Sequence, residues 1–297
     1  MKYRVIHRTT YTYEQRVKSC QNEAHLIPRS GARQHCLSSR VDITPEPGCR
    51  TEREDFFGNR VIYFAIEEPH DRLVVTATSL VSLVEEAGRL PPFDVSWQEA
   101  VRYLHDERTA GHLDAFQYLP DSTMAVVTRE IKRYAAPSFR KRRSVMEAVR
   151  DLVARIHLDF SYDPGFTTVA TPLPVVLEHR RGVCQDFAHL AIASLRSHGL
   201  PARYISGYIE TQPAPGQEKR RGADASHAWF SAYDPTFGWI DFDPTNNQVP
   251  LGHYISTAWG RDYSDVTPLK GVIYGGGSHR AEVAVDVTAV EEGEQAN

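Results

Sequence analysis

The sequence is short of most features that narrow function at once. Its 297 residues hold four cysteines, Cys20, Cys36, Cys49 and Cys184, and no two of them form a CxxC pair. That is too few for a disulfide scaffold, so ordinary thiols in a reducing compartment are expected. No segment approaches the ~20 apolar residues of a membrane helix, and no membrane partner is expected. The stretch from Met1 to Arg8 has no apolar core of a secretory signal, which makes the cytoplasm the expected location. Neither sign of charge dominates: 34 Lys+Arg stand against 38 Asp+Glu, a net of −4. Nucleic acid is therefore not an expected partner. What is present is an ordinary globular composition, 41% hydrophobic, at a length that predicts about two domains.

The periodicity divides the chain and predicts an α+β protein. Residues 1–87 read as a β-rich, sandwich-like or curled-sheet domain. Aromatic and β-branched residues alternate from Tyr3 to Tyr13, Val41 and Ile43 share a face, and Leu73 to Val84 is a long apolar strand. Phe57-Gly58-Asn59-Arg60 is a turn signal between strands. Leu90-Pro91-Pro92-Phe93 punctuates the chain, and 88–143 read as a helical linker region. Its helices are expected over 96–107 and from Asp121 or Ser122 to Ala135, before Pro137. The basic run Arg140-Lys141-Arg142-Arg143 reads as a solvated linker or helix start. Residues 144–250 form the core: an amphipathic helix over 145–158 with Val145, Ala148, Val149, Leu152 and Ile156 on one stripe, a short helix over 172–179, then a helix and three strands. Residues 251–297 read as a C-terminal extension. It holds a mobile Gly275-Gly276-Gly277 loop, an edge strand over 281–287 and a frayed tail from Glu291.

Cys184 differs from the other cysteines. In Gly182-Val183-Cys184-Gln185-Asp186-Phe187-Ala188 it opens a helix whose Phe187, Ala191 and Leu195 face a core. A helix N-terminus carries unpaired N–H groups and partial positive charge. Both favour a thiolate nucleophile, and the same N–H groups can hold an oxyanion. Downstream, 202–209, 226–233 and 237–245 read as consecutive strands, with His227 at the start of the second and Asp243 at the end of the third. Neighbouring antiparallel strands place those ends side by side. Cys184, His227 and Asp243 thus supply nucleophile, base and orienting acid. Asp241 lies on the same strand face, and spacing alone does not separate it from Asp243.

The ordered set Gly182-Val183-Cys184-Gln185-Asp186-Phe187-Ala188, Ala202-Arg203-Tyr204, His227-Ala228-Trp229 and Trp239-x-x-x-Asp243-Pro244-Thr245 resembles the transglutaminase-like superfamily, a rearranged relative of papain-like cysteine proteases. Residues 1–87 resemble the β domain that precedes this core in bacterial members. The resemblance implies Cys184 as nucleophile, His227 as base and Asp243, rather than Asp241, as the orienting acid. It implies a protein or peptide substrate, attacked at a glutamine side chain or amide bond and passed on to water or to an amine. No cofactor and no metal are implied. An inactive binding or scaffold module on the same fold is the alternative. Animal transglutaminases place a Trp upstream of the Cys as second oxyanion donor; none lies between Trp97 and Cys184, and Tyr162 is a weak candidate for the part. Cys184 with His189 is one ligand pair, short of the three or four that zinc needs. The charged loop Gln212 to Gly222 is a candidate substrate-contacting lid. Oligomeric state is not legible.

Overall fold

A computed structural model describes residues 1–84, 95–107, 109–211, 224 and 226–290. Its first half is built on one strand, β1 (Lys2–Ala24), with β2 (Gln34–Thr44), β3 (Cys49–Glu54), β4 (Arg60–Ile66) and β5 (His70–Leu83) beside it. β4 and β5 follow one another along the same side of β1, from Ala24↔Ile62 through Val17↔His70 to Lys2↔Ser82. β2 and β3 follow them along the outside, with Thr44 opposite Val74 and Cys49 opposite Ala65. Each lane breaks at about the same level: at 13–16, 45–48 and 67–69. The breaks contain Pro45, Pro47 and Pro69, which cannot donate to a ladder, and the β1 register shifts between Thr12 and Val17. Folding at this line brings Val41, Ile43, Leu73 and Val75 onto Cys20, Ala24, Ile62 and Phe64 in one core. The result is the sandwich-like sheet that the alternation predicts. β3 escapes a sequence reading because all six of its residues, Cys-Arg-Thr-Glu-Arg-Glu, are exposed and show no alternation.

The helices that follow are capped as their sequences dictate. Ser96 caps α1 (Trp97–Asp106) with Glu99 in a capping box, and Thr109 caps α2 (Ala110–Phe116). Thr128 caps α3 (Arg129–Ala135), so that helix starts one to two turns later than Asp121 or Ser122 would set it. Ser144 and Glu147 form a second box at α4 (Val145–Asp159). Then come β6 (Ser161–Tyr162), α5 (Leu173–His179), β7 (Arg181–Gly182), α6 (Cys184–Arg196), β8 (Ala202–Ile209), β9 (Ser226–Asp234), β10 (Gly238–Phe242), β11 (Tyr254–Gly260) and α7 (Tyr263–Val266). The core sheet runs β10-β9-β8-β11, antiparallel throughout. α6 lies on its inner face: Phe187, Leu190 and Ala191 meet Tyr204, Phe230 and Ala232, with Val149, Leu152 and Ile156 of α4 behind. Ala100, Ile131, Tyr134 and Phe139 belong to that same core. Within the expected helical linker region, 88–143, α1 and α3 thus pack into the core, because their apolar faces need that burial.

The expected C-terminal extension supplies strands to both sheets. β11 completes the core sheet. β12 (Leu269–Gly275) and β13 (His279–Val290) then return along the free side of β1, from Ala24↔Leu269 to Lys2↔Val290. Gly275, Gly276 and Gly277 join β12 to β13 within this lane. They take φ of 90°, 91° and 63° where this lane crosses the bend line, which glycine does without a Cβ penalty. A Cβ on Gly276 would stand 2.9 Å from Val17. Tyr3, Val5, Val81, Val285 and Val287 then pack on Tyr208 and Ile255, joining the two sheets.

Candidate functional site

Cys184 takes the first position of α6 and is half-buried. Asp186 anchors the turn before it. Its Oδ2 accepts from the Val183 amide at 2.8 Å and from the Thr167 hydroxyl at 2.7 Å. Burial pushes the Asp186 carboxyl up, and these two donors oppose that. The carboxylate folds over Gly182 so closely that a Cβ there would meet Oδ2 at 2.7 Å. Gly182 is thus required by close approach. β7 pairs in parallel with β6, Tyr162 beside Gly182, and the Asp163 amide donates to the Gly182 carbonyl at 2.8 Å. This brings Tyr162 to the thiol. Its phenol is raised by burial and by the charge of Cys184, and its side chain is exposed. Tyr204, buried beneath, feels Cys184 in the same way.

β9 and β10 bring His227 and Asp243 together. Phe242 pairs with Phe230, so Asp243 falls beside Trp229, and His227 is its diagonal neighbour on the same face. His227 Nε2 lies 2.8 Å from Asp243 Oδ2. Asp241 faces the same way but is opposite Ser231. Its Oδ1 accepts from the Ser231 hydroxyl, and its Oδ2 lies 3.3 Å from Arg33. Asp243 is fully buried and saturated with donors: the Tyr254 hydroxyl at 2.7 Å, Asn246 Nδ2 at 2.7 Å, and the amides of Thr245 at 2.8 Å and Asn246 at 3.2 Å. Burial raises its carboxyl, but His227 and these donors outweigh burial and hold it below the usual range.

The His227 ring is bonded to Asp243, and Cys184 lies near enough to act on its charge. With Nε2 committed to Asp243, Nδ1 is the nitrogen left to the sulfur. Burial lowers the imidazole, yet Asp243 and Cys184 together push it up to about 10. The His227 ring is therefore held as an imidazolium beside the Asp243 carboxylate. Trp229 supports the ring from behind, with centroids 6.1 Å apart at 26°. Of the residues picked out in the sequence, His227 and Asp243 are in direct contact at 2.8 Å, and Cys184 lies near the ring.

Other candidates go elsewhere. His189 is buried on Tyr204, and its Nε2 accepts from the Tyr263 amide at 3.1 Å, which occupies the lone pair a metal would need. Cys20, Cys36 and Cys49 are free thiols of the N-terminal sheet. Residues 212–222, the candidate lid, lie outside the described residues. Sequence reading missed Asn246 and Tyr254 as partners of Asp243. Asn246 had a local signal, a turn-forming Asn three residues after an Asp. Tyr254 had none, since β11 is placed by its pairing with β8.

Comparison with known proteins bears on the whole chain. Residues 132–244 match the model of the transglutaminase-like superfamily, and residues 3–82 that of the bacterial transglutaminase-like N-terminal region. The chain is 41% identical to the uncharacterized protein Rv2569c of Mycobacterium tuberculosis, over 98% of this chain and 93% of that one. It is 38% identical to the uncharacterized protein ML0607 of Mycobacterium leprae, over 97% and 98%. The crystal structure titled a "Putative Cysteine Protease" from Cytophaga hutchinsonii superposes with a TM-score of 0.75 at 23% identity, covering 99% of this chain and 92% of that one. The chain belongs to the transglutaminase-like superfamily, with the N-terminal sheet domain of its bacterial members.

Proposed function

We propose that this protein is a thiol acyl-transfer enzyme that attacks a glutamine carboxamide or an amide bond of a protein or peptide. Cys184 is the nucleophile, His227 the acid–base group and Asp243 the group that orients and charges it. One observation carries the reading: buried Asp243 holds the His227 ring at 2.8 Å, and Cys184 lies near enough to act on the charge of that ring.

In this reading the Cys184 thiol gives its proton to His227, and the thiolate attacks the carbonyl carbon. The oxyanion that forms is met by the Cys184 amide, which lies in the first turn of α6 where no helical acceptor exists. The neighbouring Val183 amide is already bonded to Asp186. As the C–N bond breaks, His227 returns its proton to the leaving nitrogen, and an acyl thioester remains on Cys184. Water releases it as an acid, and an amine releases it as a new amide; in either case the incoming proton passes to His227. Asp243 stays ionised and holds Nε2–H, so Nδ1 faces the sulfur throughout.

The test is intact-mass spectrometry of the protein incubated with peptide libraries or cell lysate. An acyl adduct on Cys184, absent from Cys184→Ala, is the expected result. Turnover of a trapped substrate should fall at least ~10³-fold in Cys184→Ala. A Cys184→Ala variant with full turnover overturns the reading. Iodoacetamide should label Cys184 faster than Cys36 and Cys49; equal labelling would favour a scaffold role for the fold instead.

A further inference from the structure

On the outer face of the core sheet stand two buried arginines that lie in no direct ion pair among the described residues. Arg203 of β8 is only 8% exposed, and its guanidinium lies 3.8 Å from the centre of the Trp259 ring and 4.4 Å from that of Trp239. Arg29, from the segment joining β1 to β2, lies 3.5 Å from the same Trp259 ring. Two planar cations that close to one ring occupy its two faces. Neither forms an ion pair among the described residues. Arg29 Nη1 donates to the Phe57 carbonyl and Asn59 Oδ1, while its Nε is buried without an acceptor. Arg203 Nε donates to the Ser231 hydroxyl at 3.4 Å, and the Tyr118 phenol lies near its guanidinium. All of these acceptors are neutral.

Both groups, with a third guanidinium from Arg33, line a cavity of about 220 Å³ between the N-terminal segment and the core sheet. Asp241 is the one carboxylate in its wall, and it already serves Ser231 and Arg33. Asp241 also attracts Arg203, as Asp114 does from outside the wall, and Asp55 attracts Arg29 from outside it. Buried charge without a partner is costly, and the aromatic faces offset only part of that cost. Three guanidinium forks around a small void match planar or tetrahedral oxyanions. The volume is below the ~300 Å³ of ordinary drug-sized pockets, which excludes a nucleotide or a folded peptide segment.

We propose that this cavity binds a small oxyanion, a carboxylate or a phosphate group, clamped by Arg29, Arg33 and Arg203 where the N-terminal sheet domain meets the core. The bound anion ties the 29–34 segment to β8 and β11. The site does not depend on the chemistry assigned to Cys184.

Thermal unfolding and tryptophan fluorescence, read at constant ionic strength with sodium phosphate or sodium glutarate replacing sodium chloride, test this. A saturable rise in Tm, with a fluorescence change that saturates alongside it, is expected. The anion that saturates at the lower concentration identifies the source chemistry. Arg33→Gln and Arg29→Gln should each weaken the apparent affinity about tenfold or more, the loss of one charged hydrogen bond. Arg33 is half-exposed at the rim, so its variant keeps the fold and decides the matter if Arg29→Gln does not. A response that chloride reproduces, one that grows without saturating, or one unchanged in Arg33→Gln overturns the proposal.

Discussion

Two buried histidines, one at the seam between the sheets and one in the site, show what partners do to the same side chain. His7 on β1 is buried against neutral groups: Nδ1 lies 3.0 Å from the Tyr208 hydroxyl and Nε2 3.0 Å from the Thr9 hydroxyl. Burial alone lowers it to about 4. His227 is also largely buried, yet Asp243 and Cys184 raise it to about 10. Desolvation acts in the same direction on both rings. The difference lies in whether an anion shares the burial, and that decides which histidine stays neutral and which is held charged.

The sharpest way to break the comparison is to take the anion from His227. Asp243→Asn leaves a hydrogen-bonding group of the same shape but removes the charge, and turnover should fall by ~10²–10⁴-fold. The alkaline limb of the pH–rate profile, set by loss of the imidazolium near 10, should move to lower pH in that variant. Asp241→Asn, two residues along the same strand face, should leave turnover within about threefold, with a stability loss of order 1 kcal/mol from its Ser231 bond. Equal losses of turnover in the two variants would contradict the roles given to them.

The next effect is on stability against pH, and the two rings pull in opposite directions. His7 binds its proton more weakly when folded, so its contribution is complete above the ordinary value of 6.5 and is lost as pH falls towards 4. By linkage this amounts to about 3 kcal/mol at pH 4. Tm should fall from pH 7 to pH 4.5, and less steeply in His7→Gln. The slope should not vanish, because buried His189, also lowered to about 4, titrates in the same sense. A His7→Gln variant with the parent's slope would place the acid sensitivity elsewhere. The smallest effect is expected from Tyr254→Phe, which removes one donor of several from Asp243. Turnover should drop by less than ~10-fold, with the alkaline limb shifted in the same direction as in Asp243→Asn and by less.

Much of the site was legible in the sequence because its signals are local. Cys184 opens a helix behind a glycine, and His227 and Asp243 stand at facing ends of adjacent strands. The choice of Asp243 over Asp241 was not legible from spacing, since both project from one face; the cross-strand neighbours Trp229 and Ser231 separate them. The N-terminal alternation was readable through Tyr13, where Glu14, Gln15 and Arg16 interrupt it at the bend. β12 and β13 could not be assigned to a sheet because their partner lies more than 240 residues away. The Arg29–Trp259–Arg203 cluster was equally hidden, drawing on three distant segments that only the joined sheets bring together.

The placement of β1 between lanes drawn from 60–83 and 269–290 has a consequence for how the protein is made. On the ribosome, the first strand emerges long before the partner for its second edge exists. That edge waits, unpaired, through the synthesis of the entire thiol-bearing core, whose helices and hairpins are closed by nearer contacts. The core can then consolidate while the N-terminal sheet remains open, to be finished by residues translated after it.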